Sequence, residues 1–159
     1  LDSDAFRRTY RAINERYCAY EKGILTNQCS CSEAEKFCIA EREGVHCGSD
    51  EAQATCIALL DLLRRQARFA LKTDDPQRAL PHAKAMRLQI GGLRGIAVAL
   101  DPEAPAPAEI ADVRELILAA IARFGTLEHL PFPQIMQQIA AYRARRRRRG
   151  SDTPDKTKK

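Results

Sequence analysis

The stretch CAYEKGILTNQCSCSEAEKFCIAEREGVHCGSDEAQATC, residues 18–56, contains all six cysteines of a 159-residue chain. Cys18, Cys29, Cys31, Cys38, Cys47 and Cys56 are separated by ten, one, six, eight and eight residues. No Cys-x-x-Cys pair occurs, so the usual zinc knuckle and the thioredoxin-like redox motif are both missing. Cys-x-x-Cys-His is missing too, which argues against covalent c-type haem. Within the stretch, Ser32 and Glu35 have the spacing of a capping box. That spacing predicts a short helix from Glu33, carrying Cys38 and ending at Gly44. His46, Cys47 and Gly48 form the next loop. Asp50 and Gln53 repeat the capping spacing and open a long helix to about Leu71.

Working outward, Phe6, Tyr10, Ile13, Tyr17, Tyr20 and Ile24 recur at three- and four-residue steps. They predict a first helix from about Asp4 to Tyr20 with one apolar stripe. Cys18 falls roughly 100° round from that stripe, on its flank. On the long helix, Ala52, Cys56, Leu59, Leu60, Leu63, Ala67 and Ala70 share a face. Cys56 therefore reads first as a buried apolar filler, with a ligand or a disulfide partner as the alternatives.

Asp74-Asp75-Pro76 and Pro81 start another helical segment, with Met86, Ile90, Leu93 and Ala97 inward. Gly91, Gly92 and Gly95 interrupt it, either to admit a close neighbour or to break the helix. No strand precedes them, so a phosphate-cradling loop is not expected. Residues 101–107, with three prolines, form a linker between a cysteine-bearing helical body (1–100) and a C-terminal helical unit (108–143). Residues 144–159 read as a basic disordered tail. Strand signals are nearly absent. The expected fold is all-α, a bundle of five or six helices with cysteine-rich loops near the N-terminus.

A domain of about 150 residues buries enough surface to fold without staples. The cysteines therefore call for a chemical explanation. In the predicted helical frame Cys29, Cys31 and Cys47 lie just before helix N-termini, where the dipole and free N–H groups favour thiolate. Cys38, one turn into its helix, points back towards them. Cys29, Cys31, Cys38 and Cys47 make a four-sulfur set, with Cys18 as a fifth candidate. Four thiolates suit an iron–sulfur cluster or zinc. The irregular spacing and the helix N-termini favour the cluster. Disulfides are the competing reading, with fifteen pairings open to six cysteines and about 2–4 kcal/mol per bridge. His46 could replace one sulfur, although a histidine in such a loop is more often simply exposed.

From Arg143 onward the chain carries nine basic and two acidic residues, while the body is slightly acidic. Arg143 and the run Arg145, Arg146, Arg147, Arg148 and Arg149 are a candidate anion- or partner-binding segment. No nucleophile–base pattern stands out, and His46, His82 and His129 belong to no recognisable motif, so catalysis is not expected. No apolar run approaches the roughly 18–20 residues that span a bilayer. Residues 1–20 are charged throughout and do not read as a signal peptide. The chain starts at Leu1, which fits either a removed leader or a trimmed start.

Together these features lead to a small accessory protein that transfers electrons or senses oxidation through an iron–sulfur cluster, in the cytoplasm. The alternative is a non-catalytic binding subunit with structural zinc or disulfides, the latter in an oxidising compartment. Its arginine run would dock to nucleic acid or to an acidic protein.

Overall fold

A computed structural model describes residues 8–10, 14–72 and 78–143. Residues 34–47 are not a helix. They form an antiparallel hairpin of β1 (Ala34–Ile39) and β2 (Arg42–Cys47). Its register runs from Ala34 opposite Cys47 to Ile39 opposite Arg42. Between the strands Ala40 and Glu41 both have positive φ, 48° and 67°. A two-residue turn of this kind twists with its strands but normally uses Asn or Gly, so the local sequence hides it. Tyr10 stacks on Phe37 with ring centres 5.8 Å apart. Gly44 lies beneath both rings, where any Cβ would clash with them.

The hairpin overturns the all-α expectation. The fold is mixed α/β, with one two-stranded sheet and seven α-helices among the described residues, not five or six. The expected first helix also fails to reach Tyr20. Residues 8–10 are helical, but 14–20 form turns and a bridge that pairs Tyr17 with His46. Cys18 N–H donates to the Val45 carbonyl at 2.9 Å, and Cys47 N–H to the Arg16 carbonyl at 2.7 Å. Helix resumes as α1 (Glu21–Leu25). The apolar stripe keeps its spacing across this break, which is why it read as one helix.

The long helix is present as α2 (Asp50–Gln66), followed after Ala67 by α3 (Arg68–Leu71). Its cap is Ser49, one residue earlier than expected, whose side chain accepts from Ala52 N–H. Asp50 and Glu51 in the first turn complement the dipole. Then α4 (His82–Met86), a π-helical turn (Arg87–Gly91) and α5 (Gly92–Leu100) follow one another without an intervening loop. α6 (Val113–Phe124), a 3-10 turn (Leu127–His129) and α7 (Phe132–Ala141) complete the fold.

The glycines at 91 and 95 serve close packing. A Cβ on Gly91 would come within 2.8 Å of Ile139 Cα, and one on Gly95 within 2.6 Å of Ile135 Cα. The backbones of α5 and α7 therefore approach as closely as they do only because these side chains are missing. One core runs through the molecule, on both sides of residues 101–107. It joins Tyr20, Val45, Leu59, Leu63, Ile90, Leu93, Ile117, Ile135 and Ile139. Residues 28–30 run alongside 110–113. Ile110 N–H donates to Gln28 (3.1 Å), Ser30 N–H to Ile110 (2.9 Å) and Val113 N–H to Ser30 (2.9 Å), each to the carbonyl. This pairing brings the start of α6 to the cysteine-rich segment.

Candidate functional site

Four cysteines from four separate segments line one cavity of about 20 Å³: Cys18, Cys31, Cys47 and Cys56. Ala19, Tyr20, Ala34, Ala52 and Val113 supply most of the remaining wall, with Glu33, Gln53 and Arg114 at its polar margin. Each cysteine is held by backbone geometry. Cys18 is pinned to β2 through Val45. Cys47 ends β2 opposite Ala34, and its thiol donates to the Ser49 carbonyl at 3.3 Å. Cys31 precedes β1, where its carbonyl accepts from Ala34 N–H at 3.1 Å. Cys56 is one turn beyond Ala52 on α2. That helix is tied to the Cys18 segment by Gln53, whose amide donates to the carbonyls of Glu15 (3.1 Å) and Tyr17 (3.0 Å).

The electrostatics of the cavity are those of buried thiols. Burial pushes Cys18 and Cys56 up to about 12, and each is raised further by the charge of the neighbouring cysteines. Arg114 acts on Cys56 in the opposite sense. Cys31 is also raised by burial, but backbone N–H groups of Glu33 and Arg114 reach its sulfur and oppose the rise. Arg114 is in the first turn of α6, so Cys31 does face a helix N-terminus. It is a different helix from the one expected at Glu33, which is absent. Cys47 alone keeps its expected place, two residues before the Ser49 cap of α2.

Asp112 anchors this corner. Its Oδ1 accepts from Ser32 N–H (3.1 Å), the Ser32 hydroxyl (3.2 Å), Arg114 N–H (3.0 Å) and Glu115 N–H (3.4 Å). Partial burial acts to raise its pKa, but these donors outweigh it and hold the carboxyl below its ordinary value.

Two members of the expected ligand set lie elsewhere. Cys38 is exposed near the hairpin turn, paired with Glu43. Four residues along the strand from Ala34 place it about 13 Å away, at 3.3 Å per residue. Cys29 is buried but is not part of the cavity lining; it is bridged to Ile110, with its sulfur packed against Gly23. Burial pushes its thiol up to about 12. Cys56, read as a filler, takes a place on the cavity instead. Ala52, a small residue one turn before it on the same face, was the only sequence hint. His46 points to the other side of the hairpin, where its Nδ1 is 3.0 Å from Asn14 Oδ1. All six cysteines are free.

Tyr20 was read as part of an apolar stripe, yet it too lines the cavity. It is 1% exposed, and its hydroxyl has no hydrogen-bond partner. Cys18 and Ala19 also border a wider cleft of about 370 Å³, with Leu60, Asp61, Leu80 and Gln89 among its walls. In this conformation no group of three or more His, Cys, Asp or Glu among the described residues is placed to hold a metal ion. No helix among them is long and apolar enough to cross a membrane. Arg143 donates to the carbonyls of Ala140 and Tyr142. Arg145 to Arg149 lie outside the described residues. Comparison with protein-family models, curated proteins and solved structures gives no match for this chain.

Proposed function

We propose that Cys18, Cys31, Cys47 and Cys56 hold an iron–sulfur cluster, and that the protein is a small electron-transfer or redox-sensing accessory protein. The observation that carries this reading is the meeting of four thiols, from four segments, around one enclosed cavity. The donor set is all sulfur, which suits such clusters. The four cysteines line a cavity of about 20 Å³ and, as placed, form no group able to hold a metal ion, so loading requires the thiol side chains to reorient.

The surroundings suit an anionic centre. N–H groups at Glu33 and Arg114 reach Cys31, and the Arg114 charge acts on Cys56. Apolar walls keep water out, and burial, charge and hydrogen bonding to sulfur are the protein's means of setting a potential. Bound, the cluster supplies one-electron chemistry. The chain's part is to give up the thiol protons on loading, exclude solvent, and bring one ligand, Cys18, to the wall of the wider cleft.

Anaerobic purification followed by iron, sulfide and thiol analysis tests the reading. Iron and acid-labile sulfide in equal amounts, lost together in Cys56→Ser and retained in Cys38→Ser, support it. Iron-free protein, zinc in place of iron, or a mass lowered by disulfide formation contradicts it.

A further inference from the structure

Between Asp61 and Asp101 the sequence holds eight Lys and Arg residues against two acids, Asp74 and Asp75, and those two lie outside the described residues. The fold gathers much of this charge at one corner. Arg65 is in the last turn of α2, Arg68 is in α3, and Lys72 caps α3. The Lys84 ammonium, on α4, donates to the Lys72 carbonyl at 3.4 Å, and the Arg64 guanidinium donates to the Arg78 carbonyl. The segment entering α4 is thereby held beside the end of α2. Arg65, Arg68, Lys72 and Arg78 are exposed and make no ion pair among the described residues. Phe69 follows Arg68, about one helical turn from both Arg65 and Lys72, and is 94% exposed. A single exposed apolar side chain is ordinary. One that stands clear of the surface among unpaired cations is a patch with an apolar tip and a cationic rim.

We propose that this corner docks on an anionic lipid bilayer. Phe69 enters the boundary between headgroups and acyl chains, and Arg65, Arg68, Lys72 and Arg78 face the lipid anions. Charge complementarity draws the patch to the membrane within about a Debye length, and the ring anchors it on contact. A single strand of nucleic acid suits the patch less well. Such strands bind in grooves with several aromatic platforms, whereas Phe69 is the one Phe, Tyr or Trp between residues 62 and 100. The attachment is peripheral and independent of the four-cysteine cavity.

The test is co-sedimentation of the full chain with vesicles of phosphatidylcholine, alone or mixed with phosphatidylserine. Wild type is expected to bind the mixed vesicles only. The chain beyond Arg143 is also basic, so the patch is read from its own variants. Phe69→Ser alters an almost fully exposed side chain and is expected to melt as wild type does, yet to bind mixed vesicles about ten-fold more weakly. Arg65→Gln with Arg68→Gln is expected to weaken binding about five-fold per charge removed. The chain contains no tryptophan, so Phe69→Trp supplies a single reporter. A blue-shifted emission, quenched by lipid brominated in its acyl chains, is expected with mixed vesicles. Equal binding by wild type, Phe69→Ser and the double Gln variant would overturn the proposal, because attachment would then lie elsewhere on the chain. An unshifted tryptophan on vesicle-bound protein would overturn it too. So would failure of wild type to bind mixed vesicles, whether or not it binds a single-stranded oligonucleotide through the same residues.

Discussion

Ser32 and Asp112 are 80 residues apart in the chain, yet Asp112 Oδ1 accepts from both the Ser32 backbone N–H and the Ser32 hydroxyl, at 3.1 and 3.2 Å. The same oxygen caps α6. One carboxylate thus fixes the loop after Cys31 to the helix whose first turn faces that sulfur.

Asp112→Ala removes a helix cap and a loop clamp together. The cap alone is worth about 1 kcal/mol, so a melting temperature several degrees lower is expected, with weakened cluster retention. Asp112→Asn should keep most of the stability and lose its acid dependence. Because the folded carboxyl titrates below its unfolded value, the stability it adds is present above about pH 4 and is lost as pH falls through the lowered value. Acid melts of wild type and Asp112→Asn check this. Parallel acid limbs would show that Asp112 contributes nothing.

The metal-free protein should be sensitive to base. Burial pushes Cys18, Cys29 and Cys56 up to about 12, whereas an unfolded thiol titrates at about 8.5. Between those limits the unfolded chain releases protons that the folded chain keeps, so rising pH favours unfolding. The melting temperature of metal-free protein should fall above about pH 8.5, and fall less steeply in Cys56→Ser. A pH-independent melt between neutrality and pH 10 or so would contradict the burial of these thiols.

The cysteines should separate by position. Serine at Cys18, Cys31, Cys47 or Cys56 is expected to abolish iron binding, because each sulfur lines the cavity. Cys38→Ser should be silent, since that side chain is exposed. Cys29→Ser should retain iron but lose stability by about 1–3 kcal/mol, through a buried hydroxyl without an assured partner. Iron loss in Cys38→Ser, or full retention in Cys56→Ser, would refute the assignment.

Gly95→Ala tests the helix contact. The added Cβ would come within 2.6 Å of Ile135 Cα, a backbone atom that cannot rotate away. Overpacking of this kind costs about 1–3 kcal/mol. Gly125→Ala meets no neighbour, but φ there is 92°, so its cost is conformational and about 1 kcal/mol. A Gly95→Ala protein as stable as wild type would mean that α5 and α7 can separate freely.

The sequence disclosed what depends on short-range patterns. A helix opening at residue 50 was legible, and for Gly91 and Gly95 close packing was one of the two readings open. The hairpin was not legible, for two reasons. Ser32 and Glu35 imitate a capping box, and the Ala40–Glu41 turn uses residues that rarely take positive φ. The candidate site suffered with it, because Cys38 was placed on a helix that does not exist and Cys29 just before its start. Cys56 and Tyr20 were hidden differently. Each fits an apolar stripe, and only the three-dimensional approach of β2, α2 and the start of α6 turns those positions towards the other sulfurs. That approach depends on the pairing of residues 28–30 with 110–113, which no local periodicity encodes.

The central claim is tested most directly by iron and acid-labile sulfide content, read with visible absorbance, on anaerobically isolated protein. Equal iron and sulfide with a brown charge-transfer spectrum, both abolished by Cys56→Ser, is the expected result. Colourless protein without iron, or cysteines already oxidised in pairs, would contradict it.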